Sequence, residues 1–344
     1  FHPVSECSLP NLKPSNSIPP SSIPYLQIEP TTRCNFTCGF CAGRHLPQLD
    51  LDFDTFARLI DRLDDVRHVE LQGEGEPLMH PRFFDMVRHL RNRFPAVKIS
   101  LITNGSLFTA ENIEQLLQCQ VNSIMVSLES ADAATFQQIR GGKLSRVERG
   151  IQHLLAQRKQ RGLHQPTLGF AVTLLRETGA DVSAIADLYV ALGLDGGILL
   201  QPLQTMPAYS QFYDADMRAN LLQAEDVVRI NHIIAGDKTL KAQLRQFQQS
   251  PHFYSELYRS PEDAAPTCPW LERGLFISAS GHAASCCFVK QAERDGFCKA
   301  DAEMSTLLER RAALLQTLKA GQIPAQCNGC GLAKRMQNGS ITSI

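Results

Sequence analysis

Three cysteines lie within eight residues at positions 34–41, in the stretch CNFTCGFC. Their spacing is C-x3-C-x2-C, and Gly39 relieves crowding in the short loop, so the three thiols can converge on one small inorganic centre. An iron-sulfur cluster is the interpretation that we favour. A structural zinc site needs a fourth ligand, for which only His45 stands nearby, and simple packing of cysteines is a third possibility.

A second set of cysteines lies near the carboxyl end. Cys268 is followed by twelve residues, Gly281, four more residues and Cys286, and a C-x2-C pair, Cys327 and Cys330, follows about 40 residues later. Two pairs at this separation suit either zinc or an iron-sulfur cluster, and spacing alone does not choose between them.

Residues 276–284 predict a β-hairpin with a Ser-Gly turn, which would bring Cys268 and Cys286 together. Cys287 adjoins Cys286 and could replace it as a ligand. Cys298 would serve as a ligand if the segment held a second centre.

The composition excludes several classes of protein. The 344 residues are 43% hydrophobic and 20% charged with a formal net charge of -1, which does not suit a nucleic-acid, membrane-surface or disordered protein. Eleven cysteines without an export signal indicate thiolate ligands in a reducing cytoplasm rather than disulfides. Residues 1–22 are rich in Pro and Ser and predict an extended arm.

From residue 25 onward, strand-like and helix-like segments alternate, which predicts βαβ units and a parallel sheet. We expect an α/β core over 23–210, a helical linker over 211–265 and a small Cys-rich domain over 266–344. Six βα units are too few for a closed eight-stranded barrel, so a partial (β/α)6 parallel barrel is expected. The predicted strands lie near 25–28, 66–71, 97–103, 122–128, 168–174 and 197–202, and later helices near 180–192, 215–247 and 305–318.

Polar residues follow the predicted strands at their carboxyl ends, where open α/β sheets bind ligands. The three cysteines follow the first strand, the stretch 73–77 follows the second, and Asn104, Glu129 and Gln201 lie at the third, fourth and sixth. The sequence therefore predicts one binding site along this edge.

The stretch CNFTCGFC after a first strand resembles the cluster loop of the radical S-adenosylmethionine (SAM) superfamily. The resemblance implies that Cys34, Cys38 and Cys41 hold a 4Fe-4S cluster and leave one iron free for the amino and carboxylate groups of SAM. An electron from the cluster would cleave SAM to a 5'-deoxyadenosyl radical. Three thiolates, rather than four, leave the open position that this chemistry needs.

Further segments resemble the SAM-binding motifs of the same family. GEGEP at 73–77 is similar to the GGEP motif, with glutamate in place of its first glycine, and TNG at 103–105 and SLES at 127–130 are similar to its TNG and SLDG segments. The resemblance implies that SAM is bound by Gly75, Glu76, Asn104, Ser127 and Glu129, with Glu76 accepting from the SAM ammonium group.

Three more residues are expected to line the same site. Arg140 resembles the arginine that pairs with the SAM carboxylate, although a solvated helix-end arginine is an equal alternative. Phe40 resembles the aromatic residue whose backbone meets the adenine, and Gln201 is predicted at the same edge.

The second cysteine set is similar to the SPASM auxiliary-cluster domain, or its shorter twitch form, of many radical SAM enzymes. The resemblance implies an auxiliary 4Fe-4S cluster held by Cys268, Cys286, Cys327 and Cys330. Cys298 and Cys287 are then candidates for the cysteine that returns a hydrogen atom to the substrate radical in epimerases of this superfamily.

Auxiliary-cluster radical SAM enzymes are mostly peptide modifiers, so the resemblance implies crosslinking, epimerisation or backbone excision in a ribosomally made precursor peptide. About 24 residues precede the first strand, and we therefore expect a separate leader-recognition protein. An external electron donor such as flavodoxin or ferredoxin is also expected. The alternatives are oxidation or epimerisation of a small polar metabolite such as an aminocyclitol, and a non-enzymatic zinc-binding scaffold.

Overall fold

The computed structural model of the protein describes residues 23–259 and 267–338. The predicted arm at 1–22, with Cys7, lies outside the described residues. The described strands form one nine-stranded sheet in the order β6-β5-β4-β3-β2-β1-β7-β8-β9. They are β1 Tyr25–Ile28, β2 His68–Leu71, β3 Lys98–Thr103, β4 Ser123–Ser127, β5 Thr167–Leu174, β6 Ile198–Pro202, β7 Gly274–Ile277, β8 His282–Ala284 and β9 Cys298–Lys299.

Strands β1 to β6 are parallel, and each pairs with the next in chain order. Each lies within two residues of its predicted bounds, because short apolar runs bounded by polar turns are a strong strand signal. Within the described residues the sheet does not close, since β6 and β9 form its two edges. The prediction of a partial (β/α)6 barrel is confirmed.

A seventh parallel strand extends the sheet beyond β1. β7 pairs with β1 in register, and the N–H of Glu29 donates to the carbonyl of Ile277 at 2.8 Å. β7 and β8 form the predicted hairpin, with Gly281 at a φ of +73° in its turn, and β9 pairs antiparallel with β8. Two cysteines of the second set, Cys268 and Cys286, thus flank a hairpin that belongs to the same sheet as β1.

The helices of the described residues connect the strands or pack against the sheet. They are α1 Phe53–Asp61, α2 Phe83–Arg93, α3 Ala110–Gln118, α4 Ala133–Arg140, α5 Leu144–Gln160, α6 Val182–Leu192, α7 Pro207–Ser210, α8 Ala215–Ala219, α9 Ala224–Gly236, α10 Lys238–Gln249, α11 Phe253–Leu257, α12 Pro269–Arg273, α13 Ala292–Asp295, α14 Met304–Lys319 and α15 Gly331–Asn338. In the part of the chain described, no helix combines the length and apolar character that crossing a membrane requires.

The prediction of one long helix over 215–247 is wrong, because capping residues divide this segment into α8, α9 and α10. At the start of α9, the N–H of Gln223 donates to the Asp226 carboxylate at 3.0 Å. At the start of α10, the N–H of Leu240 donates to the Asp237 carboxylate at 2.9 Å. These side chains bind unpaired N–H groups at the start of a helix, so a new helix begins at each of them although the apolar periodicity continues.

The two faces of the sheet bury different residues. Apolar side chains such as Leu26, Val69 and Leu101 pack against the surrounding helices in one cluster. Alternate positions on the same strands face α11, whose Phe253 ring contacts that of Tyr25 with 5.9 Å between centroids. α11 therefore packs on this face of the sheet near the amino ends of β1 and β2, away from the carboxyl ends that carry the candidate site.

Candidate active site

The three-cysteine loop is shaped by the turn after α4. The N–H of Thr37 donates to the carbonyl of Arg140 at 2.9 Å. Gly141 adopts a φ of +73°, and a Cβ there would lie 2.2 Å from the Thr37 hydroxyl. A Cβ on Gly142 would meet the ring of Phe36 at 2.2 Å. The glycine pair thus lets the cysteine loop pack closely on the end of α4, a role that the sequence did not suggest.

The three thiols lie close enough to influence one another's ionisation. Burial raises the pKa of the Cys38 thiol to about 11 and also raises that of Cys34. Burial, and then the Glu74 carboxylate, raise the pKa of Cys41 well above its usual value. A thiolate at Cys34 disfavours a thiolate at either of the others. A cationic centre would displace the three protons, because thiolates are the ligating form.

Glu76 is a buried carboxylate fixed by hydrogen bonds from the end of β3. Its Oε1 accepts from the Thr103 hydroxyl and its Oε2 accepts from the N–H of Asn104, each at 2.7 Å. A Cβ on Gly75 would lie 2.3 Å from the carbonyl oxygen of Thr31. The close approach at Gly75 is therefore to the backbone leading into the cysteine loop, and its role in SAM binding stays a prediction.

Glu129 and Arg140, which the resemblance assigns to different parts of SAM, bind each other. Nη2 of Arg140 donates to Oε1 of Glu129 at 2.7 Å, and Nε donates to Oε2. The Glu129 side chain is fully buried and that of Arg140 is 6% exposed. The guanidinium lies 6.0 Å from the centroid of the Phe40 ring, and its charge favours a thiolate at Cys38. The pair thus lies against the cysteine loop.

The other predicted SAM residues lie at the carboxyl ends of their strands. Asn104 Nδ2 donates to Asn35 Oδ1 at 2.8 Å and lies 3.8 Å from the Cys34 sulfur. A donor near a ligating sulfur is one of the factors that set cluster potentials. Ser127 is half-buried at the end of β4, and Gln201 is exposed near the end of β6. Their roles in SAM binding stay predictions.

The four carboxyl-terminal cysteines line one small cavity. Cys268 precedes α12, Cys286 follows β8, and Cys327 and Cys330 belong to the turn before α15. Burial raises the pKa of Cys286 to about 11. Burial, and then the neighbouring Cys286, raise the pKa of Cys327 to about 12. The structure thus brings together all four residues that the sequence selects for the second centre.

The two remaining candidates, Cys287 and Cys298, occupy different environments. Burial raises the pKa of Cys287 to about 12, and the titratable groups that act on it are Cys286, Lys290 and Glu74. Cys298 lies on β9 opposite Ala283, and Arg310 and Arg62 are the cations that act on it. Cys287 thus lies near Glu74 and Lys290 beside the cysteine loop, and the role of either cysteine as a hydrogen-atom donor stays a prediction.

A buried ion pair that the sequence did not suggest links the two cysteine sets. Nζ of Lys290 donates to Oε1 of Glu74 and, at 2.6 Å, to the carbonyl of Cys287. Although burial opposes ionisation, Lys290 holds the pKa of Glu74 below its usual value. The Lys290 and Glu74 side chains are 6% and 13% exposed. No motif marks Lys290, because its partner lies more than 200 residues away in the chain.

The donor atoms fit two iron-sulfur centres. The ten cysteines in the described residues are free thiols, and soft thiolates are the ligands that iron-sulfur clusters take. Cys34, Cys38 and Cys41 would hold one centre, and the four cysteines around the second cavity would hold the other. Among residues 23–259 and 267–338, no three His, Cys, Asp or Glu side chains are grouped to hold a single metal ion.

Comparison with known proteins matches the first part of this fold to a family. Residues 28–189 match the model of the Radical SAM superfamily. The chain is 31% identical over 189 residues to the tungsten-containing aldehyde ferredoxin oxidoreductase cofactor-modifying protein of Pyrococcus furiosus, covering 53% of this chain and 52% of that protein. It is 36% identical over 145 residues to GTP 3',8-cyclase of Rhizobium meliloti, covering 39% and 41%. The chain thus spans about half the length of these curated relatives, or less.

Two solved structures share the fold over nearly the whole chain. SuiB of Streptococcus suis bound to the precursor peptide SuiA is 15% identical with a TM-score of 0.65, covering 96% of this chain and 79% of that chain. The enzyme anSMEcpe with bound AdoMet and a peptide is 16% identical with a TM-score of 0.63, covering 92% and 88%. Coverage this high means that the shared fold extends into the carboxyl-terminal segment of this chain.

Proposed function

This chain belongs to the radical SAM superfamily, and we propose that it cleaves SAM reductively and removes a hydrogen atom from a ribosomally made precursor peptide. One observation carries the proposal. The described residues hold two separate cysteine sets: three in the loop at the carboxyl end of β1, and four that line one cavity beside the hairpin extending the same sheet. Three ligands leave one iron for SAM, whose cleavage supplies the 5'-deoxyadenosyl radical.

The chain's own residues would bind and orient SAM at the edge formed by β2 to β6. Glu76 presents a fixed, buried carboxylate for the SAM ammonium group, and Asn104 presents its amide beside Cys34. Arg140, held in place by its ion pair with Glu129, lies beside Cys38, where its guanidinium favours a thiolate. Ser127 and Gln201 are available at neighbouring strand ends for the remaining polar groups of SAM.

The second site supports the choice of a peptide substrate. Cys268, Cys286, Cys327 and Cys330 would hold an auxiliary 4Fe-4S cluster, which accepts an electron or contacts the substrate. Two structural neighbours whose structures contain a bound peptide share the fold over 96% and 92% of this chain, which supports a peptide over a smaller substrate. An external electron donor such as flavodoxin or ferredoxin and a separate leader-recognition protein are part of the same proposal.

The reaction on the peptide would be a crosslink, an epimerisation or a backbone excision. Cys287 supports epimerisation, because a buried thiol beside the cysteine loop could give a hydrogen atom to a substrate radical. Oxidation or epimerisation of a small polar metabolite such as an aminocyclitol is the second candidate. A zinc scaffold without catalysis is the least supported, since it leaves Glu76, Asn104 and the Glu129–Arg140 pair without a purpose.

Anaerobic assay with defined substrates separates these candidates. The reconstituted protein is mixed with SAM, a reductant and a precursor peptide encoded beside its gene, and 5'-deoxyadenosine and peptide mass and stereochemistry are measured. We expect 5'-deoxyadenosine together with a changed peptide. Deoxyadenosine formed with small alcohols such as aminocyclitols, beside an unaltered peptide, would favour the metabolite. Bound zinc without SAM cleavage would reject both enzymatic functions.

A further inference from the structure

The buried ammonium group of Lys290 lies among acidic groups next to the cysteine loop. Oε2 of Glu74 is 3.5 Å from the sulfur of Cys41 and accepts from the N–H of Gly43 at 3.2 Å. Glu29 is buried beside them, and its Oε1 accepts from the N–H of Glu74 at 2.8 Å. Lys290 is the ammonium group that contacts this set.

Lys290 is held from three sides in this position. It donates to the Glu74 carboxylate and to the carbonyl of Cys287, and its Nζ lies 4.4 Å from the centroid of the Tyr209 ring. An ammonium group that is this deeply buried has lost most of its hydration, so removal of either charged partner leaves the other uncompensated. Of these three contacts, the Glu74 carboxylate is the one that balances the charge of Lys290.

The position of Glu74 creates an electrostatic problem for a ligating Cys41. As a ligand, Cys41 is a thiolate, and a carboxylate 3.5 Å away repels it strongly where water is excluded. The GGEP motif, which this segment resembles, has glycine at the position of Glu74, so the carboxylate is a feature of this chain. A cation on the far carboxylate oxygen offsets that repulsion.

We propose that Lys290 is a positioning residue for the first iron-sulfur centre, acting through Glu74: it holds, and offsets the charge of, the carboxylate that lies 3.5 Å from the Cys41 sulfur. This inference rests on the proposed role of Cys41 as a cluster ligand. Lys290 follows Cys286 by four residues, so the segment that carries the second cysteine set also stabilises the first. The two sites are thus coupled by an ion pair rather than only by their shared sheet.

The test compares four variants after anaerobic reconstitution. They are Lys290→Met, which keeps the side-chain length without charge, Lys290→Arg, Glu74→Gln, and the double variant E74Q/K290M. Iron and sulfide per chain, and the change that SAM induces in the electron paramagnetic resonance spectrum of the reduced protein, are measured. Lys98→Met is the matched control, because Lys98 also forms an ion pair, with Glu256, but near the amino ends of the strands.

The wild-type protein and K98M should hold about eight irons, and K290M about four, with loss of the SAM-dependent spectrum. K290R, E74Q and the double variant should keep both, because each has no uncompensated carboxylate beside Cys41. Full iron and an unchanged spectrum in K290M would overturn the inference. A double variant as defective as K290M would also overturn it, because Lys290 would then act by holding the two segments together and not by offsetting the charge of Glu74. If K290M is insoluble, a double variant that is soluble and holds full iron supports the inference. A double variant that is also insoluble or short of iron overturns it. A wild-type protein without the first centre would instead reject the proposed function.

Discussion

The guanidinium of Arg140 and the carboxylate of Glu129 form a buried, bidentate ion pair directly beside the cysteine loop. The carbonyl of Arg140 also accepts from Thr37, so the same residue binds the loop backbone and the end of β4. The orientation of the loop therefore depends on a pair of charges that neither residue could keep buried alone.

Replacement of Glu129 by alanine should destabilise the protein strongly, because it leaves Arg140 buried without its partner. We expect the free energy of unfolding to fall by about 3–5 kcal/mol. The measurement is chemical denaturation of the metal-free protein. Glu114→Ala is the matched control, since Glu114 binds Arg161 in the same bidentate manner on the surface, and its loss should leave stability nearly unchanged. Equal effects of the two substitutions would contradict this account.

The buried carboxyl group of Glu70, on the face of the sheet that α11 covers, should make the free energy of unfolding depend on pH. Burial raises the pKa of Glu70 to about 8 and lowers that of His252, 3.7 Å away, to about 3. Ser100 donates to Glu70, and His68 lies between Ser100 and Glu256, which also binds Lys98. The folded protein thus keeps a proton on Glu70 that the unfolded chain releases, and it keeps His252 neutral.

The raised pKa of Glu70 and the lowered pKa of His252 change stability in opposite directions with pH. Stability from neutral Glu70 is present at low pH and is lost as the pH rises through about 8, whereas stability from neutral His252 is lost as the pH falls from 6.5 towards 3. The two effects oppose each other at mildly acidic pH. Above 6.5, Glu70 is the one of these two groups that still acts, and its contribution to stability should decline by on the order of 1 kcal/mol per pH unit up to about 8. Glu70→Gln should remove that decline in denaturation curves, and an identical decline in the variant would contradict the assignment.

The positions of the strands and of both cysteine sets could be predicted, because they depend on local pattern. Short apolar runs mark β1 to β6, and close cysteine spacing marks the loop at Cys34 and the pair at Cys327. The pairing of β7 with β1 could not be predicted, since an apolar run does not specify a partner about 250 residues away. The breaks at Gln223 and Asp237 were missed because apolar periodicity outweighed the capping residues.

The contacts among site residues were less predictable than their identity. The sequence placed Glu129 and Arg140 in the same pocket but did not reveal that they bind each other. Glu74 stood out only as a departure from a motif, and Lys290 not at all, because an ion pair between distant segments leaves no periodic signal. Distances between side chains required the structure.

Substitution of a single auxiliary cysteine should remove one centre and leave the other. Cys286→Ala should lower the iron content after reconstitution from about eight to about four per chain, because Cys286 lines the second cavity with the three other cysteines. Cys298→Ala should keep about eight, since Cys298 lies outside that cavity on β9. Loss of iron in C298A, or full iron in C286A, would contradict the ligand assignment.

The thiol of Cys287 should supply a hydrogen atom if the product is an epimer. In deuterated water the wild-type product should carry solvent deuterium at the inverted centre, because thiol hydrogens exchange with solvent. Cys287→Ser should still cleave SAM but give no epimer, and C298S should behave as the wild type. Epimer formation by C287S with full deuterium incorporation would remove Cys287 from this role.

The most direct test of the central claim is SAM cleavage by variants of the three-cysteine loop, measured as 5'-deoxyadenosine under anaerobic, reducing conditions. The wild-type protein should form 5'-deoxyadenosine, and Cys34→Ala, Cys38→Ala and Cys41→Ala should each form none. Cys119→Ala, which changes a buried thiol at the end of α3, is the control and should retain cleavage. Undiminished cleavage by C38A would contradict the account, because it would mean that SAM is not activated at this loop.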